Sequence, residues 1–341
     1  MTERLADHTT LGVGGPAREF IRCATESDLV DLVRARDAAG TPVLVLGGGS
    51  NVLVADDGFD GTVVQVAVRG ISDIVERERV VVTAGAGEPW DDLVAFTVSR
   101  GWAGLEALSF IPGSVGATPV QNVGAYGQEV ASTIVNVRVF DRRQGMVRDL
   151  TPAECAFAYR SSVFKHEPGR WVVLAVSFAL AVDPWSIVRY EQLAAALESE
   201  VGAAVTATSV RDAVGTLRRS KGMVLDADDP DTRSAGSFFT NPIVDASVAA
   251  ALPADCPRYA AADGVKLSAA WLIEQAGVTR GWQVRPTSGA RVSTKHTLAL
   301  TNADGATTAE ILELARAIRA RVQDAFGITL QPEPVLVGCT L

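Results

Sequence analysis

Gly47-Gly48-Gly49-Ser50-Asn51 decides how this chain is read. It lies between Val43-Leu44-Val45-Leu46 and Val52-Leu53-Val54, two apolar runs that predict buried strands. Successive small residues let backbone N–H groups converge on an anion, and Ser50 and Asn51 add side-chain donors. A dinucleotide fingerprint does not fit. Gly47 and Gly49 match its first two glycines, but Val52 stands in place of the third, and a strand follows rather than a helix. The stretch is either a pyrophosphate cradle of another kind or a glycine-rich turn.

A second stretch favours the cradle. Phe110-Ile111-Pro112-Gly113-Ser114-Val115-Gly116-Ala117-Thr118-Pro119 runs into Val120-Gln121-Asn122-Val123-Gly124-Ala125-Tyr126-Gly127. Apolar residues alternate with small ones, as expected where backbone wraps closely around a flat ligand. The competing reading is an Ω-loop packed on itself.

Around these loops the first half reads as short strands with few helices. Thr25 is placed to cap a helix with Leu29, Leu32 and Val33 inward and Gly40 at its end. Further strands are expected at 63–66, 80–83, 134–140 and 171–182, and a helix at 91–100. After about residue 200, Ser209 is expected to cap a helix with Val210, Ala213, Val214 and Leu217 on its apolar face. Asp226, Asp228, Asp229 and Asp231 lack the spacing of a calcium loop and predict a solvated surface loop. Thr307-Thr308-Ala309-Glu310 is a capping box. It opens a helix with Ile311, Leu314, Ile318 and Val322 inward, closed by Gly327.

Composition narrows the function classes. The chain has 341 residues, of which 48% are hydrophobic and 21% charged, so it is globular. A net charge of −9 argues against nucleic acid and acidic membrane surfaces as partners. The four cysteines and three histidines are scattered without metal-ligand spacing, so no metal is expected. The N-terminal residues have no apolar core, and the longest apolar run, 171–182, is too short to span a bilayer. A cytoplasmic, reduced protein is the expectation.

The run Gly236-Ser237-Phe238-Phe239-Thr240-Asn241-Pro242 presents a small hydroxyl beside two rings able to exclude water. Its glycine permits close backbone approach. Ser237 is a candidate proton donor or nucleophile, or simply a serine in a strand.

GGGSNVLV and IPGSVGATPVQNVGAYG, with FAYRSSVF and GSFFTNP, together resemble the UDP-N-acetylenolpyruvoylglucosamine reductases, the bacterial cell-wall flavoenzymes also called UDP-N-acetylmuramate dehydrogenases or MurB. The resemblance runs from His8 to Glu333. It implies an α+β fold: a two-subdomain FAD-binding fold of the vanillyl-alcohol-oxidase type plus a third, α+β substrate-binding domain. On this basis residues 1–205 are expected to bind FAD, with a subdomain boundary near 60–70. Residues 206–326 would bind substrate, and 327–341 would return to the active site.

The implied reaction uses non-covalent FAD, with NADPH as co-substrate, to reduce UDP-N-acetylglucosamine enolpyruvate to UDP-N-acetylmuramate. Hydride addition to that alkene needs a group to stabilise the enolate and another to donate a proton. The resemblance gives Arg160 and Glu333 the first task and Ser237 the second. It gives flavin contacts to Gly47, Gly48, Gly49, Ser50, Asn51, Pro112, Gly113, Ser114, Gly116, Ala117 and Gly124. It gives substrate contacts to Tyr126, Tyr190, Lys221, Asn241 and His296. His296 stands where some relatives carry glutamine, and Thr240 where lysine is common. A monomer is expected. Two other classes stay open: an oxygen-using flavin oxidase of the same fold, and a non-catalytic nucleotide-binding protein.

Overall fold

The computed structural model describes residues 3–341. The chain divides into two compact units with interleaved sequence. Of the described residues, the first comprises 3, 17–49 and 60–220. The second comprises 4–16, 50–59 and 221–341. These boundaries differ from a simple cut at 205: the helix after 206 belongs to the first unit, and two early segments belong to the second.

The first unit is built around two larger sheets. In the smaller, the order is Ala17–Cys23, Phe59–Val66, Val43–Leu46, and the last two run parallel. The larger has five strands, ordered Met146–Leu150, Ile134–Asp141, Trp171–Ala181, Arg79–Gly85, Ile71–Glu76, all paired antiparallel. From Leu174 to Leu180 the long strand alternates fully buried with half-buried residues, the period of two expected of a strand with one face on a core. Phe178 meets Trp90 from the helix Trp90–Ser99, ring centroids 5.8 Å apart, and the indole N–H donates to the Leu108 carbonyl at 2.9 Å. A large buried polar side chain thus keeps its hydrogen bond.

A smaller lobe of this unit pairs Trp185–Ile187 with Ala204–Thr206 and adds the helices Glu191–Ala196 and Ala207–Ser220. Val188, Leu193, Val210 and Val214 form its apolar centre on Ala107. The expected cap at Ser209 is displaced. The helix begins at Ala207, and the Thr206 hydroxyl accepts from the Ser209 N–H at 3.1 Å. Both residues suit a cap, and strand pairing through Thr206 leaves it at the boundary.

In the second unit Ser234–Ser237, Ala299–Asn302 and Ala290–Val292 form one antiparallel sheet. Val335–Val337 runs parallel to Val52–Val54. The Thr307 capping box forms as read, over a helix Thr308–Phe326 that buries Ile311, Leu314, Ile318 and Val322. Its first two N–H groups donate to the Asp56 carboxylate at 2.8 and 2.9 Å. An anion there satisfies orphan donors and complements the helix dipole.

Candidate active site

In the first unit the two glycine stretches lie against each other. A Cβ on Gly48 would stand 2.8 Å from the Gly113 Cα, one on Gly47 2.4 Å from the Ser114 hydroxyl, and one on Gly116 2.5 Å from the Ala86 Cβ. Only glycine allows this approach. The N–H groups of Gly47, Gly48, Gly49, Gly113 and Ser114 find no acceptor among the described residues, although Gly49 and Ser114 are buried. Buried backbone donors are nearly always satisfied, so runs of unmatched ones fit a ligand rich in acceptor oxygens. A pyrophosphate-bearing cofactor such as FAD fits them. Neighbouring N–H groups are used within the protein: Val115 donates to Glu88 and Gly116 to Ala86, both at 2.9 Å.

Four of the seven non-glycine residues with positive φ among the described residues lie in the adjoining segments: Phe110 (+60°), Asn122 (+45°), Tyr126 (+49°) and Arg160 (+50°). Such backbone persists where surroundings over-determine it, a pattern typical of functional sites. Phe110 shows how. Its N–H donates to Asp91 at 2.6 Å, its carbonyl accepts from the Arg218 Nε at 3.1 Å, and its ring lies under the guanidinium groups of Arg211 and Arg219. Arg160 directs Nη2 to the Gly124 carbonyl at 2.9 Å and Nη1 toward that of Asn122 at 3.5 Å. Tyr126 and Tyr190 meet edge to face at 5.9 Å. Burial raises the Tyr126 phenol above its ordinary value, so it stays protonated at neutral pH. Tyr190 lies between the strand Trp185–Ile187 and the helix Glu191–Ala196.

The second unit collects another set. Ser237 lies at a strand end opposite Ala299, and the next residue, Phe238, donates its N–H to the Leu298 carbonyl at 2.7 Å. The Glu333 N–H donates to the Phe238 carbonyl at 2.8 Å, so Ser237 and Glu333 share one corner. Phe238 and Phe239 are both buried, packed edge to face at 5.1 Å, the dry setting the sequence implied. Asn51 joins this corner. Its Nδ2 donates to the Glu333 carbonyl at 3.3 Å, and its own carbonyl accepts from Val335 at 3.0 Å. Ser50 is nearby, its carbonyl accepting from Thr10 at 3.4 Å. Asn241 is partly committed to the protein, its Oδ1 accepting from the Ala269 N–H at 2.9 Å. The His296 N–H donates to the Ser293 hydroxyl at 3.3 Å. Lys221 follows directly on the helix that ends at Ser220.

Three residues escaped the sequence reading. Arg218 is buried, and loss of hydration lowers its pKa while Tyr126 and Asp91 oppose the shift. Its signal was present: Val210, Val214 and Arg218 recur at i, i+4 and i+8, on the buried face. Glu106 is 1% exposed and accepts from Gln128 Nε2, the Ser186 hydroxyl and the Gly104 N–H. It thereby pins the turn that bears Tyr126 and the strand that leads to Tyr190. Asp231, expected in a solvated loop, is instead buried, accepting from the Thr294 N–H at 3.0 Å and from the Thr294 hydroxyl.

Relatives make the assignment. The chain is 56% identical over 348 residues to the UDP-N-acetylenolpyruvoylglucosamine reductase of Nocardia farcinica, covering 99% of this chain and 89% of that one. It is 53% identical to that of Thermobifida fusca, covering 99% and 97%. The chain belongs to the UDP-N-acetylenolpyruvoylglucosamine reductase family. That family's C-terminal-domain model matches residues 228–337, and an FAD-binding-domain model matches residues 17–151. The reductase of Thermus caldophilus has the same fold, with a TM-score of 0.65 at 26% identity over 99% of both chains. This reductase-family chain is therefore an FAD-dependent oxidoreductase of α+β fold, as its motifs implied. Among its described residues no helix is long and apolar enough to cross a membrane.

Proposed function

We propose that the chain reduces UDP-N-acetylglucosamine enolpyruvate to UDP-N-acetylmuramate with NADPH, a step of peptidoglycan precursor synthesis. The observation that carries this reading is the pair of facing glycine stretches with unmatched N–H groups, in a chain of this family. FAD, when bound, would supply the hydride chemistry that links NADPH to the enolpyruvyl ether.

The protein's residues do the rest. The N–H groups of Gly47–Gly49 and Gly113–Ser114 hold the cofactor's pyrophosphate, with Ser50, Asn51, Pro112, Gly116, Ala117 and Gly124 completing the cofactor contacts. Arg160 grips the enolpyruvyl carboxylate with its planar fork and stabilises the charge that hydride addition places there. Glu333, mounted between Pro332 and Pro334, assists the same enolate. The Ser237 hydroxyl delivers the proton to the carbon beside the carboxylate. Lys221 stabilises the oxygen that Ser237 leaves behind. Tyr126, Tyr190, Asn241 and His296 hold the nucleotide part of the substrate.

The same reading makes the protein a cytoplasmic monomer without a nucleic-acid partner. Four free cysteines suit a reducing compartment, and burial pushes the Cys155 thiol up to about 12, which makes it inert.

The test is a two-step anaerobic experiment. NADPH should bleach the yellow holoprotein, and the enolpyruvyl nucleotide should then restore the flavin absorbance. Recovery only on admitting oxygen would overturn the reading in favour of an oxidase.

A further inference from the structure

We infer that Asn122 is a positioning residue for the reaction, holding Arg160 in the geometry with which it meets the substrate carboxylate. The inference rests on the role of Arg160 proposed above.

Asn122 is 1% exposed, and both polar atoms of its side chain are hydrogen-bonded. Nδ2 donates to the Glu129 carboxylate at 2.9 Å and to the Ala158 carbonyl at 3.1 Å, and Oδ1 accepts from the Ala131 N–H at 3.1 Å. Two donors meet two acceptors and one acceptor meets a donor. That pattern fixes the amide's orientation and admits no other side chain of this size. The bond to Ala158 matters most. Ala158 and Ser161 exchange backbone hydrogen bonds, both at 3.1 Å, around a tight turn that presents Arg160 at φ +50°. Asn122 therefore holds the base of the turn.

Its backbone holds the tip. With φ at +45°, a conformation asparagine tolerates better than most residues, Asn122 aims its carbonyl at Arg160 Nη1, while Gly124 receives Nη2. One residue thus fixes the arginine at both ends, and Glu129 fixes that residue in turn. The Ser162 hydroxyl, donating to Val120 at 2.6 Å, and Lys165, donating to the Arg160 carbonyl at 3.0 Å, secure the loop beyond. The guanidinium itself is met by the carbonyls of Asn122 and Gly124 and lies over the Tyr159 ring at 5.7 Å.

The test uses the flavin-loaded full chain and compares the two half-reactions in Asn122→Asp, Asn122→Gly and Arg160→Lys. Asn122→Asp keeps the shape but sets a carboxylate against Glu129. Asn122→Gly keeps the backbone freedom and serves if the first variant does not fold. The expected result is flavin bleaching by NADPH at the wild-type rate and reoxidation by the enolpyruvyl nucleotide slowed about 10²-fold, the scale of an ångström's misplacement. Pairing either variant with Arg160→Lys should add little further slowing, because both act through one group. Wild-type reoxidation in the Asn122 variants, with Arg160→Lys slow, would overturn the inference alone. Equal slowing of both half-reactions would mark Asn122 as merely structural and also overturn it. Multiplicative slowing in the double variant would do the same. Wild-type turnover in Arg160→Lys would overturn the role of Arg160 and this inference with it.

Discussion

Gly116 and Gly236 stand in the two units and are both glycine, but for opposite reasons. Around Gly116 there is no room: a Cβ would press on the Ala86 side chain at 2.5 Å and on its backbone at 3.1 Å. Gly47 and Gly48 are alike in this respect. Around Gly236 there is space, with no atom within 4 Å of where a Cβ would stand, but φ is +71°. The first unit spends its glycines on close approach between two loops whose N–H groups find no acceptor among the described residues. The second uses glycine to turn the backbone so that Ser237 is presented beside Glu333. One kind of glycine shapes a ligand cradle and the other aims a side chain, so substitutions at the two should fail in different measurements.

The largest effect should come from the aimed side chain itself. Ser237→Ala should leave flavin binding and NADPH bleaching intact and slow reoxidation by about 10²–10⁴-fold, the usual contribution of a general acid. Stopped-flow absorbance of the flavin would show it, and rapid reoxidation in the variant would remove Ser237 from the chemistry. Next comes Gly116→Ala. Overpacking there should cost about 1–3 kcal/mol in denaturant unfolding and release flavin on gel filtration. Retention of a full complement of flavin would mean that the crowding at Gly116 is unrelated to the cofactor. The smallest effect is expected at Gly236→Ala, about 1–2 kcal/mol from the left-handed backbone alone. Flavin content should not change. If Gly236→Ala lost flavin as readily as Gly116→Ala, the contrast between the two glycines would collapse.

Much of this was legible because it is local. The Thr307 box, the Gly327 stop and the Thr25 cap each depend on residues within a turn of one another, and all three formed as read. The same logic would have found the Thr151–Glu154 box, which the reading passed over. Ser209 was expected as the cap, but Thr206 is equally capable, and nothing in the sequence says which hydroxyl the incoming strand will leave at the boundary. Asp231 looked solvated among other aspartates, but its partner Thr294 lies far along the chain. Glu106 was invisible for the same reason: Gln128 and Ser186 are distant in sequence, and a lone glutamate before an apolar run carries no mark of burial. In the candidate site, the glycine stretches and the Arg160, Ser237 and Glu333 motifs could be read as words. The hydrogen bonds that hold Arg160 could not, since they end on backbone carbonyls that every residue possesses.

The parallel pairing of Val52–Val54 with Val335–Val337 has a consequence for synthesis. The earlier strand leaves the ribosome long before its partner, which follows about 280 residues later. Bringing ends about 280 residues apart together costs on the order of 5 kcal/mol of chain entropy if nothing between them is ordered. Folding of the first unit beforehand shortens that effective loop. The nascent chain should therefore carry Val52–Val54 as an unpaired edge until Val335–Val337 has emerged, a window in which a chaperone, or another copy's free strand, could reach it first.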